Sequence, residues 1–242
     1  MRYIHGKRVS PLLHEMTPFE RELQRLGNLC REHYRKEADL GQATSETPAQ
    51  KLARDRQLKQ DLKHLANERR LVQALGAVQA KLDAYRQGGR KVAGETRADG
   101  AARRAWMLKE DHHPASVLAD NMRMDGRPKP SSKHAPHHIV PGRGKTHFSN
   151  DVRVAMHLME IRISDPDNGV WLVHYPKDAP HWSLPLAKAH LSIHTYNYER
   201  WIHDRLIGLP TDMIFRGMLF QIRSMLEEGN QPPEITMPPM KD

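Results

Sequence analysis

The most restrictive feature of the chain is a polar run from Ala49 to Leu75 that contains neither Gly nor Pro and is preceded by Thr47 and Pro48. Thr as N-cap, Pro at the first helical position and Gln50 three residues after the cap are the signs of a helix start. The first glycine is Gly76, and Gly88-Gly89 is the first strong stop. Leu58, Leu62, Leu65, Val72, Leu75, Val78, Leu82 and Tyr85 fall mostly three, four or seven apart with charges between them, the stripe of an amphipathic helix or coiled-coil strand. A helix from Pro48 to Gln87 would be about 60 Å long at 1.5 Å per residue. Thr17-Pro18-Phe19-Glu20 repeats the starting device and predicts a second helix to about Leu40, stopped by Gly41. The pair is expected to form an antiparallel helical hairpin. Gly76, inside the stripe, costs about 1 kcal/mol relative to Ala and marks a kink or a close helix contact.

Charge divides the chain of 242 residues unevenly. Residues 1–110 hold 23 Lys and Arg against 14 Asp and Glu, whereas residues 111–242 hold 15 of each, so the whole net charge of +9 lies in the first part. Histidine runs the other way, with four in the first part and twelve in the second. The basic charge of the hairpin alternates in sign along Lys51, Arg54, Asp55, Arg56, Lys59, Asp61 and Lys63, which is the pattern of a solvated face more than of a nucleic-acid track. Chemistry is therefore expected in the second part, and attachment or partner binding in the first.

Other classes are excluded by simpler observations. No window is apolar enough for a membrane span, and Met1 to Pro11 has basic residues but no apolar run of the secretory type. Cys30 is the only cysteine, which rules out a disulfide framework within the chain and any multi-cysteine zinc site, and makes an intracellular folding compartment the default.

Beyond a Gly-rich connector from Gly88 to Gly100, short helices are predicted around Arg103 to Leu108, from Pro114 to Met124 and from Asn150 to Glu160. A last helix is predicted from Pro210-Thr211 to Glu228, stopped by Gly229, with a disordered tail over Gln231 to Asp242. The expected domains are a basic helical region at 1–110, a chemical domain at 111–230 and the tail at 231–242.

His137-His138-Ile139-Val140-Pro141 reads as a short strand opened by two histidines. Adjacent side chains on a strand face opposite ways, so one can hold a metal while its neighbour faces a substrate. Asp165-Pro166-Asp167-Asn168-Gly169 is a turn, and Val170-Trp171-Leu172-Val173 is a second strand. His190 and His194 then lie four apart in a segment read as helix through Arg205, a spacing that lets both imidazoles reach one ion. Taken singly these elements are weak, because paired histidines are ordinarily polar surface and Asn-Gly is ordinarily a turn. Their order carries the inference.

Strand, turn, strand and helix with histidines and Asn at these places resemble the ββα-metal fold of HNH nucleases, and more narrowly its AHH branch, known chiefly as the toxin domain of bacterial polymorphic and contact-delivered effectors. The resemblance covers about Pro130 to Arg205 and is strongest at His137 to Pro141, at Asn168 to Leu172, and from His190 to His194 with Tyr198 after it. The alanine of the family's name is displaced, since this chain reads Ala135-Pro136-His137-His138. The fold class that follows is mainly α, with an N-terminal helical hairpin or coiled coil and a C-terminal α+β domain built on a ββα-metal motif.

By similarity to His-His nucleases of the colicin type, His137, His190 and His194 look like ligands of one divalent ion (zinc, nickel, magnesium or manganese) and His138 like the general base. The roles of His137 and His138 can be exchanged on sequence alone. Asn168 is expected to fix the loop that carries the base, or to hydrogen-bond His138. Arg127, Lys129, Lys133, Arg143 and Lys145, with Arg123 and against Asp125 alone, give residues 123–145 a balance of +5 that suits phosphate, and Gly142-Arg143-Gly144-Lys145 reads as a loop flexible enough to follow a groove. His112, His113, His147, His157, His174, His181 and His203 are expected in surface or core roles, with His134 and His147 the exceptions to watch beside the site. The expected activity is sequence-nonspecific cleavage of DNA, with an RNase or a noncatalytic metal-held nucleic-acid or adaptor module as the alternatives. The resemblance further implies an effector made in the bacterial cytoplasm, exported without a Sec signal, active in a target cell and neutralised by an acidic immunity protein. A secretion adaptor or chaperone would use the N-terminal helices.

Overall fold

The computed structural model describes residues 3–4, 7–8, 16–41, 46–113 and 115–237. The chain is mainly α with a C-terminal α+β region, and it divides into two compact units, Met1–Lys81 and Leu82–Asp242.

In the first unit, strands β1 (Tyr3–Ile4) and β2 (Lys7–Arg8) pair antiparallel, and helices α1 (Pro18–Gly41) and α2 (Pro48–Gln87) follow. Both predicted helix starts are capped reciprocally. The Thr17 N–H donates to Glu20 at 2.7 Å while its hydroxyl accepts from the Glu20 N–H at 3.2 Å, and Thr47 and Gln50 do the same at 2.9 and 3.3 Å. Arg25 pairs with Glu68, and a Cβ at Gly76 would lie 3.1 Å from the Phe19 ring, so the two helices run antiparallel. Gly76 is thus a close helix contact, which offsets its propensity cost.

The division between the units falls within α2, not at residue 110. The last turn of α2 and the connector are tied to later elements. Arg162 donates to Glu110 at 2.9 and 3.0 Å and to the Tyr85 carbonyl at 2.6 Å, and its guanidinium lies 3.7 Å from the centre of the Tyr85 ring. Arg86 and Arg216 both donate to the buried Asp165 at 3.2 Å.

The second unit continues through α3 (Arg97–Lys109), α4 (Ser116–Met124), β3 (His134–His138), α5 (His147–Leu158), β4 (Gly169–Val173), α6 (Tyr196–Leu206) and α7 (Asp212–Glu228). β3 and β4 pair antiparallel with His138 opposite Gly169, His137 opposite Val170 and Pro136 opposite Trp171. Pro136 is tolerated because this sheet has only two strands. The core lies between this ribbon and α5, α6 and α7, and includes Ile139, Val140, Met156, Ile163, Leu172, Ile202, Phe215 and Leu219. Gly169 lets α4 approach closely: a Cβ there would come within 2.8 Å of Leu118 and 2.6 Å of the Met122 sulfur, and these buried side chains would have to shift.

Two expectations need correction. The segment His190 to His194 is not α-helical: His190–Ser192 is a single 3-10 turn, and Thr195 caps a new helix by accepting the Tyr198 N–H at 3.1 Å. The tail expected to be disordered from Gln231 is ordered through Met237. Pro233–Thr236 forms a 3-10 turn that buries Ile235, and Asn197 on α6 donates to the Glu234 carbonyl at 3.0 Å. Residues 238–242 lie outside the described residues.

Asp165→Asn removes the charge on which two arginines converge. It is expected to lower the unfolding free energy by about 2 kcal/mol, the two arginines being partly solvated. Urea denaturation followed by circular dichroism measures it, and a change under about 0.5 kcal/mol would show that this network does not hold the unit together.

Candidate metal centre and active site

Three histidines from two places in the chain meet at one point. His137 comes from β3, His190 opens the 3-10 turn and His194 precedes the cap of α6. One ring nitrogen from each lies within 4.8 Å of the others, and ring centres are 4.7 to 5.1 Å apart. The break in the expected helix does not disperse them, because the turn and the cap return the chain to the same side.

The protonation pattern of this cluster can be derived. The Tyr198 hydroxyl donates to the Ile139 carbonyl at 2.8 Å, so it has no proton left for His137 Nε2, 3.0 Å away. Nε2 must then carry the hydrogen and donate, which leaves a lone pair on Nδ1. Nδ1 of His137 and Nδ1 of His190 are both buried, with no hydrogen-bond partner among the described residues. Buried polar atoms without partners are rare, and two beside a third imidazole are what a divalent ion requires of its ligands. The donor set fits a borderline transition metal.

His138 faces the other way, as strand alternation demands. It is buried, its Nε2 lies 3.5 Å from the Ser164 hydroxyl, and its ring centre is 6.0 Å from that of His112. Both faces reach a cavity of about 140 Å³ lined by His112, His113, His137, His138, Arg143, Lys145, His190 and His194. Asn168 is fully buried and its carboxamide goes to the loop after β3, not to His138. Oδ1 accepts the Val140 N–H at 2.7 Å, and Nδ2 donates to the carbonyls of Val140 and Ile163 at 3.1 and 2.8 Å.

The loop after Pro141 is held, not loose. A Cβ at Gly142 would sit 2.1 Å from the His112 ring, and one at Gly144 would sit 2.0 Å from the Ser149 hydroxyl, so both glycines serve close approach. Glu199 on α6 accepts from the N–H groups of Lys145 and Thr146 at 2.8 and 2.9 Å and from the Thr146 hydroxyl at 2.6 Å. Beneath, the buried Arg153 donates to the carbonyls of Gly142, Met107 and Glu110.

Of the five cations expected to meet phosphate, Arg143 and Lys145 line the cavity. Arg127 is turned inward, donating to the carbonyls of Gly169 at 2.9 Å and of Pro166, and to Asp125 at 3.1 Å. Lys133 pairs with Asp178 at 2.9 Å and lines a different groove, and Lys129 is exposed. His112 and His113, expected in surface or core roles, line the cavity, and His174 stands edge-on to His190 at 5.4 Å. Their adjacency to the site is long-range and leaves no local signal. Thr195, by contrast, was a legible N-cap three residues before Tyr198. His134 belongs to the neighbouring groove, and His147 opens α5 against Phe148.

Burial dominates the electrostatics. It lowers the His138 pKa to about 3, aided by His112 and His113, and that of His190 to about 3, aided by His194 and His174. His112 falls to about 4 for the same reason, and His137 lies well below the ordinary value. All four are neutral imidazoles at neutral pH. The unfolded chain binds protons near pH 6.5 that the folded chain refuses, so the stability these groups contribute is complete above pH 6.5 and lost as pH falls toward about 4. Each contributes a slope of at most about 1.4 kcal/mol per pH unit. Metal-free protein is therefore expected to lose Tm steadily from pH 7 to 4.5 in a scanning calorimeter, and a flat Tm over that range would contradict the burial of the cluster.

Residues 118–213 match the model of the AHH family, described as a nuclease family of the HNH/ENDO VII superfamily with conserved AHH. No curated protein and no solved structure matches the chain. The matched stretch runs from α4 to the start of α7 and contains the β3–β4 ribbon, Asn168 and all three clustered histidines. The likeness to the AHH nuclease family, within the HNH/ENDO VII superfamily, thus lies in residues 118–213, where Pro136 separates the alanine from the two histidines.

Proposed function

We propose that this chain is a metal-dependent endonuclease that cuts DNA without regard to sequence. One observation carries the reading: His137, His190 and His194 each bring a ring nitrogen within 4.8 Å of the others, and Nδ1 of His137 and of His190 is buried without a partner, on a cavity that also bears His138, Arg143 and Lys145. A divalent ion held there would supply charge to the nonbridging oxygens and to the leaving 3′ oxygen. The metal-ligand group has three members among the described residues and His194 is exposed, which favours an open coordination position over a closed structural site.

The protein's own groups do the rest. Arg143 and Lys145 receive the phosphate backbone, on a loop held by Glu199 and Arg153. His138, neutral because it is buried, accepts the proton of the attacking water, and the negative charge of a bound phosphate raises its basicity toward the working range. Asn168 keeps His138 in place by fixing the chain two residues on. Tyr198 holds the His137 tautomer that leaves Nδ1 available.

The family resemblance and the separate basic helical unit support a wider reading as an antibacterial effector, with the N-terminal helices serving loading, delivery or adaptor binding. An immunity protein that covers the cavity would be acidic, to match Arg143 and Lys145. On this reading the protein is made in the bacterial cytoplasm and acts in the target cell. No helix among the described residues is long and apolar enough to cross a membrane.

Plasmid nicking with added divalent metal, and its loss in chelator, tests the activity. His138→Ala is expected to slow nicking at least about 100-fold while metal is still bound, and equal cutting by this variant would remove His138 as the base. RNA cleavage that persists in chelator would replace the reading with an RNase that uses the 2′ hydroxyl. Tyr198→Phe is expected to weaken metal affinity about 10- to 100-fold, measured by equilibrium dialysis, since the His137 Nε2–H then loses its acceptor.

A further inference from the structure

A second groove, of about 350 Å³, lies on the other side of His174. His174 lines this groove and stands edge-on to His190, which lines the cavity of the candidate centre. Its other lining includes Lys133, His134, Tyr175, Lys177 and Asp178. Lys133 is already paired with Asp178, so the groove is a poor phosphate site. Its free resources are aromatic. Tyr175 is 47 % exposed, with the Lys177 ammonium 5.4 Å from its ring centre, and nearby Trp182 is 81 % exposed.

A single exposed apolar side chain is ordinary. Trp182 differs in how firmly it is presented. It occupies the tip of a turn closed by the Leu184 N–H donating to the His181 carbonyl at 3.0 Å. That turn is fastened to β3 by a closed ring of four side chains: Ser131 contacts His134 Nδ1 at 2.9 Å and His181 Nε2 at 3.3 Å, and Ser183 contacts His181 Nδ1 at 2.9 Å and His134 Nε2 at 3.2 Å. Each hydroxyl can donate to one imidazole nitrogen and accept from another, so the four contacts close on themselves, and the Ser131 oxygen also accepts the Lys133 N–H at 3.2 Å. The Trp182 indole lies over His181 with centres 5.5 Å apart, and His181 meets His134, a wall of the groove, at 4.8 Å. Ring contacts thus run from Trp182 through His181 to His134 on the groove wall, and separately from His174, on the same groove, to His190 of the candidate centre.

We propose that this groove and the Tyr175 and Trp182 rings form a subsite for unpaired nucleobases of the strand being cut, one or two nucleotides from the scissile phosphate. This rests on the nuclease reading of the neighbouring site. Aromatic faces with little net charge recognise bases by stacking, and a base offers its face only when it is unstacked and unpaired. The substrate class that follows is single-stranded nucleic acid, or duplex with frayed or gapped segments, over intact duplex.

The test uses the full-length protein in chelator, so that binding is read without cleavage, with a fluorescein-labelled single-stranded oligonucleotide and its blunt duplex as probes in an anisotropy titration. Wild type is expected to favour the single strand. Trp182→Ala and Tyr175→Ala are each expected to lower the ratio of single-strand to duplex affinity about tenfold, the order of one base stacked on one ring. Both positions are exposed, so neither change disturbs the core. Equal affinity of wild type for both probes, or an unchanged ratio in both variants, overturns the subsite. Metal-dependent nicking by the wild type in parallel separates the two claims: nicking with an unchanged ratio leaves the nuclease standing without the subsite, and a reduced ratio without nicking leaves the subsite standing without the nuclease.

Discussion

The site depends on one buried carboxamide. Asn168 uses both of its N–H donors and its oxygen on Val140 and Ile163, while its backbone carbonyl accepts the Ile139 N–H at 2.9 Å. Three stretches of chain are thereby closed onto each other at the point where β3 ends and β4 begins. Because strand side chains alternate, fixing Val140 also fixes which way His137 and His138 face, and a slip of one residue would exchange them. Gly169 completes the constraint by letting α4 approach β4. The proposed chemistry falls to the histidines, but an amide and a glycine set their geometry.

What surrounds those histidines explains how so many can share a small volume. The nearest carboxylate lining the cavity, Glu199, is taken up by the N–H groups of the 145–146 loop. Burial opposes imidazolium more strongly than Glu199 favours it at His194 or Asp111 at His112, so the imidazoles stay neutral and do not repel one another. Neutral imidazoles are also the form that can give a lone pair to a metal. The one strong cation beneath them, Arg153, is solvated by three carbonyls in place of a counterion. Its place under Gly142 makes it part of the floor and not part of the phosphate surface.

The capping boxes at Thr17 and Thr47, the long α2 and the paired strands were legible because each is written in a few adjacent residues. The same local logic, applied to Thr195, would have shown that the helix starts after His194. The remaining misses are long-range. Nothing near Arg127 in sequence says that it turns inward to the carbonyls of Pro166 and Gly169, or that His112 packs against Gly142, some thirty residues away. Glycines at 142 and 144 suggested flexibility, whereas their neighbours show that they permit contact. Ile235 was hidden because one apolar residue in a Pro-rich segment carries no periodicity, although it completes the core below α6.

The same long-range pairing changes what the charge count means. Arg86, Arg153, Arg162 and Arg216 hold the second unit together, and Arg127 and Lys133 have acceptors of their own. At the cavity this leaves Arg143, and Lys145, whose ammonium donates to the His194 carbonyl at 3.0 Å, as the positive charge that the proposed reading brings to phosphate. Each phosphate neutralised adds about 0.9 to the salt dependence of duplex binding, so a site with two such cations gains little affinity from counterion release. On the proposed reading, binding then draws on interactions that salt does not screen, and the rings beside this centre, His174 with Tyr175 and the run His134, His181 and Trp182, are of that kind. On this reading the cationic loop and the aromatic groove divide the work between the two parts of a nucleotide, with phosphate on one side of the histidines and base on the other.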